Sequence, residues 1–165
     1  PTPEESAHDF LWRIHHNTPT KGMIHIFNRS HYEDVLVTRV HGQVTDKNAK
    51  KRMQAINDFE NLLTEHNNTH ILKFYLHVSH EEQHKRLQER LENPEKMWKY
   101  NENDFAESKL WDQYMSYYED GFDHCNDVPW TIVPADHNWY KSYVVASALR
   151  KTLKDLKMRY PGMKK

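Results

Sequence analysis

Arg29, Glu33, Asp34 and Arg39 crowd one short segment, and their types suit phosphate and cation chemistry. A guanidinium is planar, permanently charged and able to grip phosphate with two parallel donors. The two carboxylates can hold a cation or a hydroxyl. The cluster Asn28 to Asp34 follows an apolar, β-prone run, Met23 to Phe27, that starts just after Gly22. The run predicts a buried strand. A strand that ends abruptly in arginine and carboxylates is a common way to set chemistry at the carboxyl end of a parallel sheet. The plain alternative, a strand edge followed by a solvated helix start, stays open on these residues alone.

Three further constellations invite chemical readings. Arg86 and Arg90 stand i,i+4 on one predicted helix face and lead into a loop with Lys96 and Lys99 around Pro94 and Trp98. Such a set can clamp a polyanion, although Glu82, Glu89 and Glu92 are interleaved and equally suit a paired surface. His80-Glu81-Glu82-Gln83-His84 matches H-E-x-x-H, which on a helix presents two imidazoles to zinc with Glu81 as base and Glu107 as a possible third ligand. The chain carries 13 histidines, and the motif falls in the first turn after a capping box, so chance explains it well. Cys125 beside His124 and Asp127, and Ser30 beside His31, place nucleophile next to base in sequence, which is not triad geometry.

Composition narrows the classes. With 165 residues and 37% hydrophobic content, one globular domain over residues 1–165 is expected. A formal net charge of -1 with balanced signs argues against a nucleic-acid binder. Cys125 is the only cysteine, which excludes a disulfide framework and a thiolate zinc site and suits a reducing cytoplasm. No apolar stretch approaches the ~20 residues that span a bilayer, so no membrane partner is expected. The four glycines, at 22, 42, 121 and 162, are far apart and cannot form a glycine-rich phosphate loop.

The elements that must position these residues alternate between helix and strand. Thr2-Pro3-Glu4-Glu5 is a capping box with proline at the first helical position, predicting a helix to about His16 that carries Asp9 and Arg13. Asp46 is the expected cap of a long helix to about His66, with Met53, Ile56, Phe59, Leu62 and Leu63 at helical spacing. A strand is expected over Thr69 to Val78. Ser79 caps the next helix, which stops at Asn93-Pro94. A loop is predicted over Lys96 to Asp104, then a helix containing Leu110, Trp111, Tyr114 and Tyr117, and a loop over Gly121 to Val128. A short strand, Trp130 to Val133, precedes a last helix from about Trp139 to Leu156 with Val144, Val145, Ala148 and Leu149 inward. The tail Pro161 to Lys165 is expected to fray. Crossovers this long between strands imply an α/β fold, a parallel sheet flanked by helices.

The runs PTPEESAHDFLWRIH, GMIHIFNRSHYEDVLVTRVH, ILKFYLHVSHEEQHKRLQERLENPEKMWK and WTIVPADHNWY, in this order, resemble the polyphosphate kinase 2 family. The resemblance implies a P-loop kinase fold akin to thymidylate kinase. It also implies Mg²⁺-dependent phosphoryl transfer between inorganic polyphosphate and a nucleoside mono- or diphosphate. Met23 to Phe27 matches the Walker B strand. Asn28, where many members carry aspartate, Arg29 and Arg39 match catalytic positions, and Asn28 would reach a metal only through water. Asp9, Arg13, Glu33 and Asp34 fall in segments lining the nucleotide and polyphosphate sites. Arg86, Arg90, Lys96 and Lys99 match a helical lid, here about residues 83–106. The family's Walker A loop would lie upstream of Pro1, so the chain is expected to be an incomplete P-loop kinase domain, impaired when alone. A cytoplasmic homo-oligomer, dimer or tetramer, is implied. The alternatives are a non-catalytic module that binds polyphosphate or nucleotide or pairs with another subunit and, more weakly, a zinc hydrolase using His80, Glu81 and His84.

Overall fold

Side-chain caps from Thr2, Thr45, Ser79 and Asn101 open four of the helices in a computed structural model that describes residues 1–160 and Gly162. In chain order the elements are α1 (Pro3–Ala7), α2 (Trp12–His15), α3 (Val37–Val40), α4 (Asp46–Asn67), β1 (Lys73–His77), α5 (His80–Glu92), α6 (Glu102–Ser108), α7 (Trp111–His124), β2 (Trp130–Pro134) and α8 (Asn138–Asp155). Short 3-10 turns cover His31–Asp34 and Met97–Lys99. The Thr2–Glu5 box forms in full: the Thr2 side chain accepts from the Glu5 N–H at 3.2 Å, and Glu5 Oε2 accepts from the Thr2 N–H at 2.6 Å. The helix does not run on to His16, because Asp9 Oδ1 accepts from the Leu11 N–H at 2.9 Å. That local turn competes with the helix and splits α1 from α2. Thr45, not Asp46, caps α4, and Asn68 ends it in the left-handed region. Asn101 caps α6 inside the stretch expected to be a loop, and α7 runs through Gly121 to His124.

The residues gather into two units, 1–71 with 101–129, and 72–100 with the chain from Trp130 on. In the first, α4 supplies Ala49, Met53, Ile56, Phe59 and Leu63 to the core, opposite Ile14, Val35, Leu36 and Cys125. Leu62 falls off that face and is exposed. In the second, β1 and β2 pair in parallel, from Lys73 opposite Trp130 to His77 opposite Pro134. The Ala135 N–H extends the pairing by donating to the His77 carbonyl at 2.7 Å. Helix α8 packs on β2 with Val144, Val145, Ala148 and Leu149 half-buried, the face expected for it. The tail Pro161 to Lys165, Gly162 apart, lies outside the described residues.

One expected strand is corrected. Met23 to Phe27 joins no ladder among the described residues, and Met23, Ile24, Ile26 and Phe27 are 42–86% exposed. A strand needs a neighbour to satisfy its backbone, and the described strands pair only with each other. Its composition favours β structure, but composition alone does not supply a partner strand.

Candidate functional site

Directly after that run, backbone strain and charge coincide. Arg29 has φ 67°, in the left-handed region, which costs a residue with a Cβ about 1–2 kcal/mol. Such strain persists where surrounding contacts hold it, and it gathers at functional sites. The Arg29 side chain is 80% exposed and lines a groove of about 600 Å³ with Glu5, Arg13, Ile14, Asn17, His25, Ile26, Phe27, Asn28, Ser30 and Glu33. Arg13, Asn28, Arg29 and Glu33 are therefore brought together as the sequence suggests. Asp34 joins them through Arg13, whose Nη2 donates to Asp34 Oδ2 at 3.4 Å. Arg29 Nη1 reaches Glu33 Oε2 at 3.5 Å. This i,i+4 pair lies in water and is weak, so the guanidinium can exchange its carboxylate for a phosphate.

Arg39 is placed differently. It is buried, and its guanidinium donates to Asp120 Oδ2 at 2.6 Å from Nη1 and to Asp46 Oδ1 at 3.2 and 3.0 Å from Nε and Nη2. The Tyr117 ring lies 4.0 Å beneath it. Burial works against its charge, but the hydrogen bonds to Asp120 and Asp46 outweigh burial and raise its pKa further. In this structure Arg39 ties α3 to the start of α4 and to α7, rather than lining the groove. Asp9 also stands apart from Arg13: it lines a second hollow of about 470 Å³ with Leu11, Trp12, His15, His16 and Phe59.

The basic candidates of the second unit divide in the same way. Arg86 Nη2 donates to the Ala135 and Asp136 carbonyls at 2.9 and 2.7 Å, and its Nε donates to Glu82 at 2.8 Å. It ties α5 to the end of β2. Asp136 Oδ1 accepts from the Ser79 N–H at 2.8 Å, which holds its carboxyl below the usual range. Lys96 pairs with Glu89, and that contact holds the Glu89 carboxyl below its ordinary value. Lys99 is exposed, with its ammonium 4.9 Å from the centre of the exposed Trp98 ring. Arg90 is half-buried on the same helix.

The zinc motif does not assemble a centre. His80 and His84 Nε2 lie 3.0 Å apart on exposed rings, but Glu107 accepts from the Tyr114 hydroxyl at 2.7 Å and pairs with His41 at 3.2 Å. Among the described residues no group of three or more His, Cys, Asp or Glu can hold a metal ion. Cys125 is buried, its thiol donating to the Met53 carbonyl at 3.6 Å, which makes it a core residue. Residues the sequence does not mark as functional also matter. Glu5, read only as a cap, and His25, bonded to the Asn17 carbonyl, line the groove. Glu60, a polar position inside the apolar stripe of α4, is buried against Tyr32. Burial and the nearby Glu60 push the Tyr32 phenol far above its usual range. Burial, then the Glu33 charge, raises Tyr118 as well.

Comparison with known proteins adds the context. The sequence profile of the polyphosphate kinase 2 family matches residues 1–161. The chain is 47% identical over 163 residues to the AMP/ADP-polyphosphate phosphotransferase of Meiothermus ruber, covering 98% of this chain and 61% of that protein. It is 39% identical over 175 residues to the ADP-polyphosphate phosphotransferase of Rhodopseudomonas palustris, covering 98% of this chain and 60% of that protein. The crystal structure of polyphosphate kinase 2 from Arthrobacter aurescens TC1 matches with a TM-score of 0.96 at 44% identity, over 100% of this chain and 59% of that one. This match shows the α/β, P-loop kinase-like class expected from the sequence. The chain spans about three-fifths of the length of these relatives.

Proposed function

The chain belongs to the polyphosphate kinase 2 family, and on that premise we propose that it forms the phosphate- and nucleotide-facing part of an enzyme moving a phosphoryl group between inorganic polyphosphate and a nucleoside mono- or diphosphate. The observation that carries this reading is Arg29, strained into the left-handed region and presenting an exposed guanidinium in a groove shared with Arg13 and Asn28. Phosphoryl transfer needs positioning and neutralisation of charge more than covalent chemistry. Arg29 and Arg13 would neutralise phosphate oxygens, while Glu33 and Asp34 keep the guanidiniums oriented until phosphate arrives. Arg90, Lys96 and Lys99 are proposed phosphate contacts of the lid, and Asp9 a contact on the nucleotide side. Arg39 and Arg86 act in this reading by holding the elements that carry the others.

Mg²⁺ would enter with the phosphates. Family members are kinases that generally need a divalent metal. The donor set here fits an ion carried mostly by phosphate and water: Asn28 offers one neutral amide oxygen, and Glu33 and Asp34 already face arginines. When bound, Mg²⁺ supplies charge neutralisation between adjacent phosphates. Asn28 would hold it through a water. A cytoplasmic setting and a homo-oligomer, dimer or tetramer, belong to the same reading. Among the described residues no helix is long and apolar enough to cross a membrane.

A second reading, a polyphosphate- or nucleotide-binding or subunit-interaction module without catalysis, is favoured by the exposed apolar run Met23 to Phe27, which suits an interacting surface. The test is incubation of the chain with polyphosphate, Mg²⁺ and AMP or ADP, with chromatography of the nucleotides and filter-binding of polyphosphate at fixed salt. Phosphorylated product, lost without Mg²⁺ and in Arg29→Ala, supports the kinase. Binding without product supports the module. Neither binding nor product refutes both.

A further inference from the structure

Helix α4 carries two oppositely charged side chains that reach the same turn. Arg52 and Glu60 stand two helical turns apart on one face, with the fully buried Ile56 between them. Glu60 is 1% exposed; its Oε1 accepts from the Tyr32 hydroxyl at 2.7 Å and lies 3.3 Å from His31 Nε2. Arg52 Nη1 donates to the Asp34 carbonyl at 2.9 Å, which also accepts from the Thr38 hydroxyl at 2.7 Å. His31, Tyr32 and Asp34 belong to the 3-10 turn that begins two residues after Arg29.

Core packing alone does not call for this arrangement. A carboxylate removed from water carries a desolvation penalty, and an apolar side chain of similar volume is often neutral or stabilising in its place. Ile56 and Met53, one and two turns before it on α4, are apolar and fully buried. What Glu60 adds over leucine is direction: it accepts from one hydroxyl in one orientation. Arg29 needs such direction, because its left-handed backbone persists only where neighbouring contacts determine it. Of the residues before it, His25 is bonded to the Asn17 carbonyl, but Ile24 and Ile26 are mostly exposed and the run joins no ladder among the described residues. The hold therefore comes from the side of the turn that α4 grips.

We propose that Glu60 and Arg52 are positioning residues, which clamp the turn His31–Asp34 to α4 and so hold Arg29 in its left-handed conformation within the groove. The functional consequence rests on the phosphate reading of Arg29; the clamp itself does not. The test uses the whole chain, with Glu60→Ala, Glu60→Gln, Tyr32→Phe, Arg29→Ala and the double variant Arg29→Ala/Glu60→Ala. Polyphosphate filter-binding and backbone hydrogen exchange are measured at fixed pH and salt, well below each variant's melting temperature.

Glu60→Ala is expected to weaken polyphosphate binding about tenfold, the size of one charged hydrogen bond. Glu60→Gln, which keeps the acceptor, should restore most of that affinity. Exchange over residues 28–34 should quicken while exchange in β1 and β2 stays unchanged. In the Arg29→Ala background Glu60→Ala should cost nothing further, because it acts through Arg29. Additive losses, or unchanged exchange over 28–34, overturn the proposal. If Glu60→Ala does not fold, Tyr32→Phe removes the same bond with the ring retained and is judged by the same two readouts. If wild-type chain does not bind polyphosphate, the phosphate reading falls, and hydrogen exchange alone decides the clamp.

Discussion

Replacing Arg39 by alanine separates two roles that a charge cannot distinguish by its type alone: holding the fold and touching phosphate. The side chain is 5% exposed and meets Asp120 and Asp46, whose side chains are 24% and 72% exposed. Breaking a fully buried ion pair by removing one partner costs about 3–5 kcal/mol. Asp46 can rehydrate where it stands, so the lower end applies, chiefly from Asp120 left half-buried without its 2.6 Å partner. Loss of the guanidinium over Tyr117 adds about 0.5–1 kcal/mol. A total near 3–4 kcal/mol corresponds to a fall in Tm of about 6–16 °C for a chain of this size, at about 2–4 °C per kcal/mol. The assay is thermal unfolding by circular dichroism, with urea titration as a check, beside polyphosphate binding at a temperature where the variant is folded. Asp120→Asn should reproduce much of the destabilisation, and the double variant should cost less than the sum, since both remove one interaction. An unchanged Tm with a tenfold or greater loss of polyphosphate affinity would refute the structural role and return Arg39 to the phosphates.

Arg29→Ala and Arg29→Gly should both lose polyphosphate affinity, with a salt slope smaller by about one. The glycine variant should be the more stable by about 1 kcal/mol in urea, because glycine adopts φ 67° without strain; equal stabilities would dismiss the strain. Arg86→Ala should destabilise the second unit by about 2–3 kcal/mol, leaving the Ala135 and Asp136 carbonyls without their charged donor. Lys99→Ala, exposed beside Trp98, should leave stability within about 0.5 kcal/mol and lower only polyphosphate affinity. Asp136 has a depressed folded pKa, so its contribution is present above the ordinary aspartate range and is lost as pH falls through the lower folded value. Stability followed by circular dichroism from pH 5 downward should therefore drop more steeply in wild type than in Asp136→Asn, and parallel curves would remove Asp136 as a source.

Most of the fold is legible in the sequence where the signal is local. The Thr2 and Ser79 caps, the Asn93-Pro94 stop and the two short strands that pair in parallel all follow from types and spacing within a few residues. Two of the departures are also local in cause. Asp9 bonds the Leu11 backbone and breaks a helix that apolar spacing alone would continue. Thr45 outcompetes Asp46 as a cap one residue earlier. Met23 to Phe27 departs for a non-local reason: its β composition is paired with no described strand.

The site is legible in a narrower sense, for a physical reason. A guanidinium is equally suited to phosphate and to carboxylate, so the residue type cannot say which it meets. Arg29 and Arg39 are read alike from sequence, yet only the three-dimensional arrangement brings Asp120 to one of them across 81 positions of chain. The same holds for Arg86, whose carbonyl partners lie 49 and 50 residues away. Backbone conformation separates the cases. Arg39 sits in a short helix and its charge is satisfied inside the protein. Arg29 sits in a conformation that disfavours any residue with a Cβ, and among the described residues its charge is paired with the half-exposed Glu33, 3.5 Å away. A fold that retains strain to present a weakly paired charge gains nothing in stability from it. That charge is accordingly the one to test first against polyphosphate, and the α4 contacts that hold its turn are the second.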